Sequence, residues 1–181
     1  MGLITIADHI HDIAENSINA GAKNVTLQVR ETDDTFYFLV EDDAGGIRPD
    51  ILERIFDPFV TTRKKEIRRF GLGLPFLKQA AEATGGYVKI ISELGNGTKT
   101  EALFYKSHID CQPIGNLVDS FLVLLLNQNI SWNISRCYND SCYEINSESI
   151  EKYIGKLDNP EKIQILSELL KELENNIIHT L

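Results

Sequence analysis

The stretch His11–Val25, "HDIAENSINAGAKNV", decides how this chain is read. On a 3.6-residue period Ile10, Ile13, Ala14, Ser17 and Ile18 share one face of a helix, while His9, Asp12, Asn16 and Asn19 gather on the other. The predicted helix is amphipathic, with a carboxylate and amides in line. Such a line is either a solvated surface face or part of a binding site, and the neighbouring segments have to decide between the two. Glu15 lies off the Asp12/Asn16 stripe and reads as a surface or supporting residue.

Downstream of that helix, "NVTLQV" alternates Val25, Leu27 and Val29, and "TFYFLVE" is a second run of aromatic and β-branched residues. Together they predict neighbouring strands joined by the turn "RETDD". "DDAGGIRPDILERIF" opens as a turn and starts a short helix with Pro49 at its first position, where a missing N–H does no harm. Thr61 to Arg69 has no clear period and reads as a loop. "FGLGLPFLKQAAEATGG" is a glycine turn running into a helix, with Pro75 near its start and Gly85 just past its end. "YVKIIS" and "TKTEALFYK" flank the turn "ELGNG" as a second hairpin. Hairpin strands with helices between them predict an α+β fold, a mixed sheet covered by helices on one face.

The character changes after about Ile109. Gly115 to Gln128 is a very apolar helix candidate, "NISWNISRCY" and "SCYEI" predict a hairpin around Asn139 and Asp140, and two helices follow. The last carries Ile163, Leu166, Leu170, Leu173 and Ile177 at helical spacing, with Asn159 and Pro160 as its start signal. Two units are therefore expected, residues 1–108 and a small α+β unit over 109–181. The second either completes the fold or offers a partner surface, with Trp132 and Tyr138 as core or interface aromatics.

At 181 residues and 43% hydrophobic content the chain can build a sizeable core. A net charge of -9 argues against a broad nucleic-acid surface, because phosphate binding draws on clustered Lys and Arg. The basic run "TTRKKEIRR" is local. Cys111, Cys137 and Cys142 are odd in number and lack CxxC spacing, so reduced thiols are expected, with neither a disulfide framework nor a zinc site. No signal peptide precedes the first helix, and "FLVLLL" is far too short to span a bilayer. A cytoplasmic protein with no membrane and no nucleic-acid partner is the expectation.

Three separated pieces remain: the Asp12/Asn16 helix, the acidic glycine turn Asp42 to Gly46, and the glycine turn Gly71 to Leu74 heading a helix. A nucleoside triphosphate makes three matching demands. A carboxylate accepts the exocyclic amine of adenine, backbone N–H groups at a helix N-terminus hold phosphates, and an oxygen ligand holds magnesium.

In this order the segments resemble the Bergerat-fold ATP-binding domain of gyrase, mismatch-repair ATPases, the heat-shock chaperone and histidine kinases, the GHKL superfamily. "DIAENSINAGA" resembles its N box, "VEDDAGGI" its first glycine box, "IFDPFVTT" its F box and "FGLGLPFLKQAAEATGG" its second glycine box, while "GNGTKTEALF" resembles its late strand. The match runs over roughly residues 5 to 105. It implies ATP and Mg²⁺ as ligands: Asn16 on the metal, Asp42 on the adenine amine, Gly46 for close passage of the chain, and Thr98 completing the adenine network. Gly71, Leu72, Gly73 and Leu74 would face the phosphates under a lid from Thr61 to Arg69. Phe56 and Phe59 read as lid anchors, and Arg63, Lys64 and Lys65 as either γ-phosphate contacts or a solvated loop.

Asp12 stands where gyrase-like ATPases carry the Glu that polarises water and where histidine kinases usually carry Asn, so the resemblance makes it the catalytic candidate, one methylene shorter than Glu. Ala44 and Arg69 replace glycines of the family pattern. Ala44 should be tolerated if it avoids positive φ, whereas Arg69 either restricts the lid or meets a phosphate. His9 and His11 read as structural or solvated. With almost nothing before the N box, no upstream hairpin carrying a phosphoacceptor histidine is expected. The resemblance thus implies an ATP-dependent kinase acting on a separate protein partner in signalling, with slow ATP hydrolysis or a non-catalytic nucleotide switch as alternatives.

Overall fold

In the computed structural model the described residues are 3–57 and 72–179. The expected lid from Thr61 to Arg69, Phe59 and Gly71 lie outside them. The first helix, α1 (Ile6–Asn19), starts at a capping box in which the Thr5 side chain accepts from Asp8 N–H and Asp8 accepts from Thr5 N–H. β1 (Asn24–Glu31) and β2 (Thr35–Asp42) form the expected antiparallel hairpin. A short α2 (Pro49–Leu52) has proline in its first turn. α3 (Gly73–Ala83) is followed by β3 (Tyr87–Ser92) and β4 (Thr98–Tyr105), again antiparallel.

The chain then builds α4 (Leu117–Leu125), the hairpin β5 (Ser131–Tyr138) and β6 (Ser141–Asn146), α5 (Ser147–Tyr153) and α6 (Pro160–Ile178). Asn116 caps α4 and Asn159 caps α6, each side chain accepting a backbone N–H. All six strands make one sheet in the order β3-β4-β2-β1-β5-β6. The β1–β5 pairing is parallel, with Leu27 beside Ile134, and the other pairings are antiparallel.

Strand alternation sends Val25, Leu27 and Val29, then Phe36, Phe38 and Val40, then Ala102 and Phe104, then Trp132 and Ile134 to one face. There they join a single core with Ile6, Ile10 and Ile13 of α1, Leu77 and Ala81 of α3, Phe121 of α4 and Leu166 and Leu170 of α6. The expected mixed sheet with helices on one face is what the chain forms. Trp132 is a core residue, 1% exposed. The segment after β4 docks on the start of α1, where Ile6 and Ala7 N–H donate to the Pro113 and Ile114 carbonyls. No helix among the described residues is long and apolar enough to cross a membrane.

The hairpin register brings Cys137 opposite Cys142, and the two form a disulfide. This corrects the expectation of three free thiols, because adjacency across a ladder is invisible in linear spacing. Cys111 is free and half-buried.

Candidate functional site

The C-terminal end of β2 delivers Asp42, and two close approaches hold it in place. Gly46 has φ 72°, and a side chain there would strike the backbone of Glu93 and Leu94; Gly97 has φ 82°, and a side chain there would strike the backbone of Asp42 and Asp43. Only glycine combines that dihedral with that contact. The turns 43–46 and 93–97 therefore lock together, helped by Gly95 N–H donating to Gly45 C=O at 2.9 Å. Ala44 is buried and its φ is not positive, so it satisfies the condition under which it can replace glycine.

The two adjacent aspartates have different work. Asp43 is a clip: its carboxylate accepts from Lys23 N–H at 2.7 Å, from Asn24 N–H at 2.9 Å and from the Asn24 amide at 2.7 Å. The Asn24 backbone bond, then the other bonds to Asn24 and Lys23, draw its pKa down to about 2. Asp42 instead turns toward α1, accepting from Ser17 Oγ at 2.6 Å and from Ala44 N–H at 3.0 Å. A carboxylate has about four lone-pair sites, so these two bonds orient Asp42 and still leave acceptor capacity for an amine.

Across the ladder Asp42 faces Thr98. Ser92 Oγ donates to Gly97 C=O at 2.9 Å and accepts Ile47 N–H at 2.8 Å, so the Thr98 hydroxyl at 2.9 Å is the donor of that pair. Thr98 keeps its oxygen lone pairs for a further partner. Ser17, Ser92 and Gly97 were missed as site residues in the sequence. Ser17 gave one signal, a lone hydroxyl on an otherwise apolar helix stripe, whereas Ser92 and Gly97 gave none beyond their place beside the turn.

On α1 the polar line is covered at His9 and Asp12, half-covered at Asn16 and open to solvent at Asn19. His9 is 1% exposed and Asp12 9% exposed, because α3 and the 110–114 segment cover the side that faces away from the sheet. His9 Nε2 meets Gln112 Oε1 at 3.0 Å, and burial lowers its pKa despite the pull of that bond and of Asp12. The Asp12 carboxylate lies against Gly73, the first residue of α3, where a methyl group would run into it. Asn16 follows one turn later and is half-buried, and Glu15 is exposed as expected.

Leu72, the N-cap of α3, is 37% exposed, and the ladder begins with Phe76 N–H donating to Leu72 C=O at 3.0 Å. Pro75 has no N–H, so Gly73 and Leu74 supply the outward donors of this helix end. The positive end of the helix dipole favours a carboxylate there and would favour phosphate equally. Phe56 is half-buried, with Lys78 Nζ 4.6 Å above its ring. No group of three or more His, Cys, Asp or Glu among the described residues is placed to hold a metal. A single amide oxygen such as that of Asn16 suits magnesium that arrives with phosphate oxygens and water. Cavities of about 340 and 370 Å³ occur elsewhere, at Ser147/Lys156 and at Phe76/Gln112, and neither is lined by Asp12 or Asp42.

The chain is similar to several known proteins. The sensor kinase CckA of Brucella abortus is 46% identical over 66 residues, 36% of this chain and 7% of that protein. The mismatch repair protein MutL of Clostridium perfringens is 32% identical over 57 residues, 32% of this chain and 8% of its own length. A probable C4-dicarboxylate sensor kinase of Bacillus subtilis is 28% identical over 88 residues, 49% of this chain and 16% of its own. The chain thus spans a small part of these relatives. In fold it is similar to the N-terminal domain of a DNA repair protein, with a TM-score of 0.56 and 13% identity over 88% of this chain and 58% of that one. That likeness reaches past residue 107. Residues 4–107 match the family described as "Histidine kinase-, DNA gyrase B-, and HSP90-like ATPase". The chain therefore belongs to that family, and the segments that bring Asp42 beside Thr98 and Asp12 to the head of α3 all lie within the matched residues or at their edge.

Proposed function

We propose that the protein uses Mg·ATP to phosphorylate a hydroxyl on a separate protein partner. The observation that carries this reading is the buried Asp12 carboxylate at the N-terminus of α3. Asp42 takes the adenine amine, Thr98 supports the base, and the N–H groups of Gly73 and Leu74 hold phosphate oxygens. Asn16 holds the magnesium, whose charge offsets that of the phosphates. Asp12 then accepts the proton of the attacking hydroxyl while the new O–P bond forms and ADP leaves with the β–γ bridging oxygen.

A second reading, ATP hydrolysis, is favoured by a carboxylate rather than an amide at position 12; water then takes the place of the hydroxyl. Calorimetric titration with ATP and a non-hydrolysable analogue, with and without Mg²⁺, is the first test, followed by phosphate release and by labelling of candidate proteins from γ-labelled ATP. Asp12→Asn should leave ATP affinity within about twofold and lower turnover by about 10²–10⁴-fold. Label transfer supports the kinase and phosphate release without transfer supports the hydrolase. Binding with neither in the wild type makes the domain a nucleotide switch.

A further inference from the structure

The tip of the β5–β6 hairpin carries chemistry that the nucleotide site does not use. Arg136 and Tyr143 turn into the core, so their neighbours Cys137 and Cys142 put their sulfurs on the opposite face of the sheet, which the helices leave open. Cys142 is exposed and Cys137 half-buried.

The disulfide encloses only residues 138–141, so it restricts the unfolded chain far less than a bond closing a long loop. The hairpin is also held without it. Asn139, at φ 49°, forms the turn, and its N–H donates to Glu31 C=O at 2.8 Å. Tyr138 Oη donates to Asp33 at 3.2 Å, and Arg136 binds Glu31 at 2.6 Å and Glu174 at 2.9 Å. None of these contacts involves the sulfur atoms. An exposed disulfide whose hairpin has such independent support has the features of the exchangeable kind.

We propose that Cys137–Cys142 is a reversible redox site that exchanges with a dithiol reductant of the thioredoxin class. The reductant's thiolate attacks the accessible Cys142 sulfur; a mixed disulfide forms, the Cys137–Cys142 bond breaks, and Cys137 leaves as a thiolate and takes a proton. The reductant's second thiolate attacks its own sulfur in the mixed disulfide and releases Cys142, which is protonated in turn. The pair gains two electrons and two protons, and the reductant becomes a disulfide.

The test uses the full chain in native buffer with thioredoxin, its reductase and NADPH, followed by alkylation and peptide mass analysis. About one NADPH per chain should be consumed, with new alkylation at Cys137 and Cys142, an unchanged circular dichroism spectrum, and recovery of the bond with oxidised glutathione. Reduction that occurs only in denaturant, loss of the fold on reduction, or three free thiols in air-exposed protein would each overturn the proposal.

Discussion

The two ends of β1 handle charge in opposite ways. At its far end Glu31 is locked into a closed network: it accepts from Arg136 at 2.6 Å and Lys106 at 2.7 Å, while Arg136 also reaches Glu174, which accepts from Tyr143 Oη at 3.2 Å. Arg136 is 1% exposed, and no buried side-chain polar atom among the described residues lacks a partner. Burial and the Glu174 carboxylate push the Tyr143 hydroxyl well above its usual range, so it stays protonated as a donor. At the near end, Asp43 is consumed by its clip, whereas Asp42 is oriented by two bonds and keeps room for more. A buried charge is therefore a poor marker of function by itself. Remaining capacity to bind, at a fixed orientation, is the better one.

The largest effect should come from Arg136→Ala, which leaves Glu31 and Glu174 buried without their cation. Urea denaturation should show a loss of about 3–5 kcal/mol, with ATP affinity unchanged in protein that remains folded. Weaker ATP binding in that folded protein would break the independence of the two ends. Asp42→Asn should do the reverse. It loses a charge-assisted bond to the ligand, so calorimetry should show affinity falling about 10–100-fold at near-native stability. Retained tight binding would refute Asp42 as the adenine acceptor.

A smaller effect is expected from Ser17→Ala, which frees Asp42 from its orienting hydroxyl. ATP affinity should fall about fivefold, corresponding to about 1 kcal/mol. An unchanged affinity would mean that Ala44 N–H alone fixes the carboxylate. The smallest concerns His9, whose pKa is lowered in the folded state, first by burial. The unfolded chain then binds the proton more readily, so His9 adds no penalty above its ordinary value of 6.5, and stability falls as pH drops below that value toward the folded pKa. His9→Gln should flatten this part of a stability-against-pH curve measured by denaturation.

The near end was largely legible in the sequence and the far end was not, for reasons of distance along the chain. α1, the two N-terminal hairpins and α3 announce themselves through short-range periodicity, and Asp42 and Asp12 come with motif spacing. Ser17 was hidden because a serine on an apolar stripe resembles any small core residue. The burial of His9 was hidden because its cover, the 110–114 segment, lies about a hundred residues away. The β5–β6 hairpin was expected, but not its parallel seat on β1, because nothing in either strand encodes the identity of a distant neighbour. The disulfide follows from that hairpin's register, and Cys137 and Cys142 carry no spacing that reveals it.

The parallel seat of β5 on β1 also has a consequence for how the chain comes into being. During synthesis β1 and β2 can pair as soon as they leave the ribosome, but the other edge of β1 stays bare until Ser131–Tyr138 emerges. At about 5–20 residues per second that wait lasts ~5–20 s. A long-range parallel pairing is intrinsically slow to form, and an open strand edge invites pairing with other chains. Nascent and truncated forms ending before residue 131 should therefore be the aggregation-prone species, and chaperone demand should peak in that window.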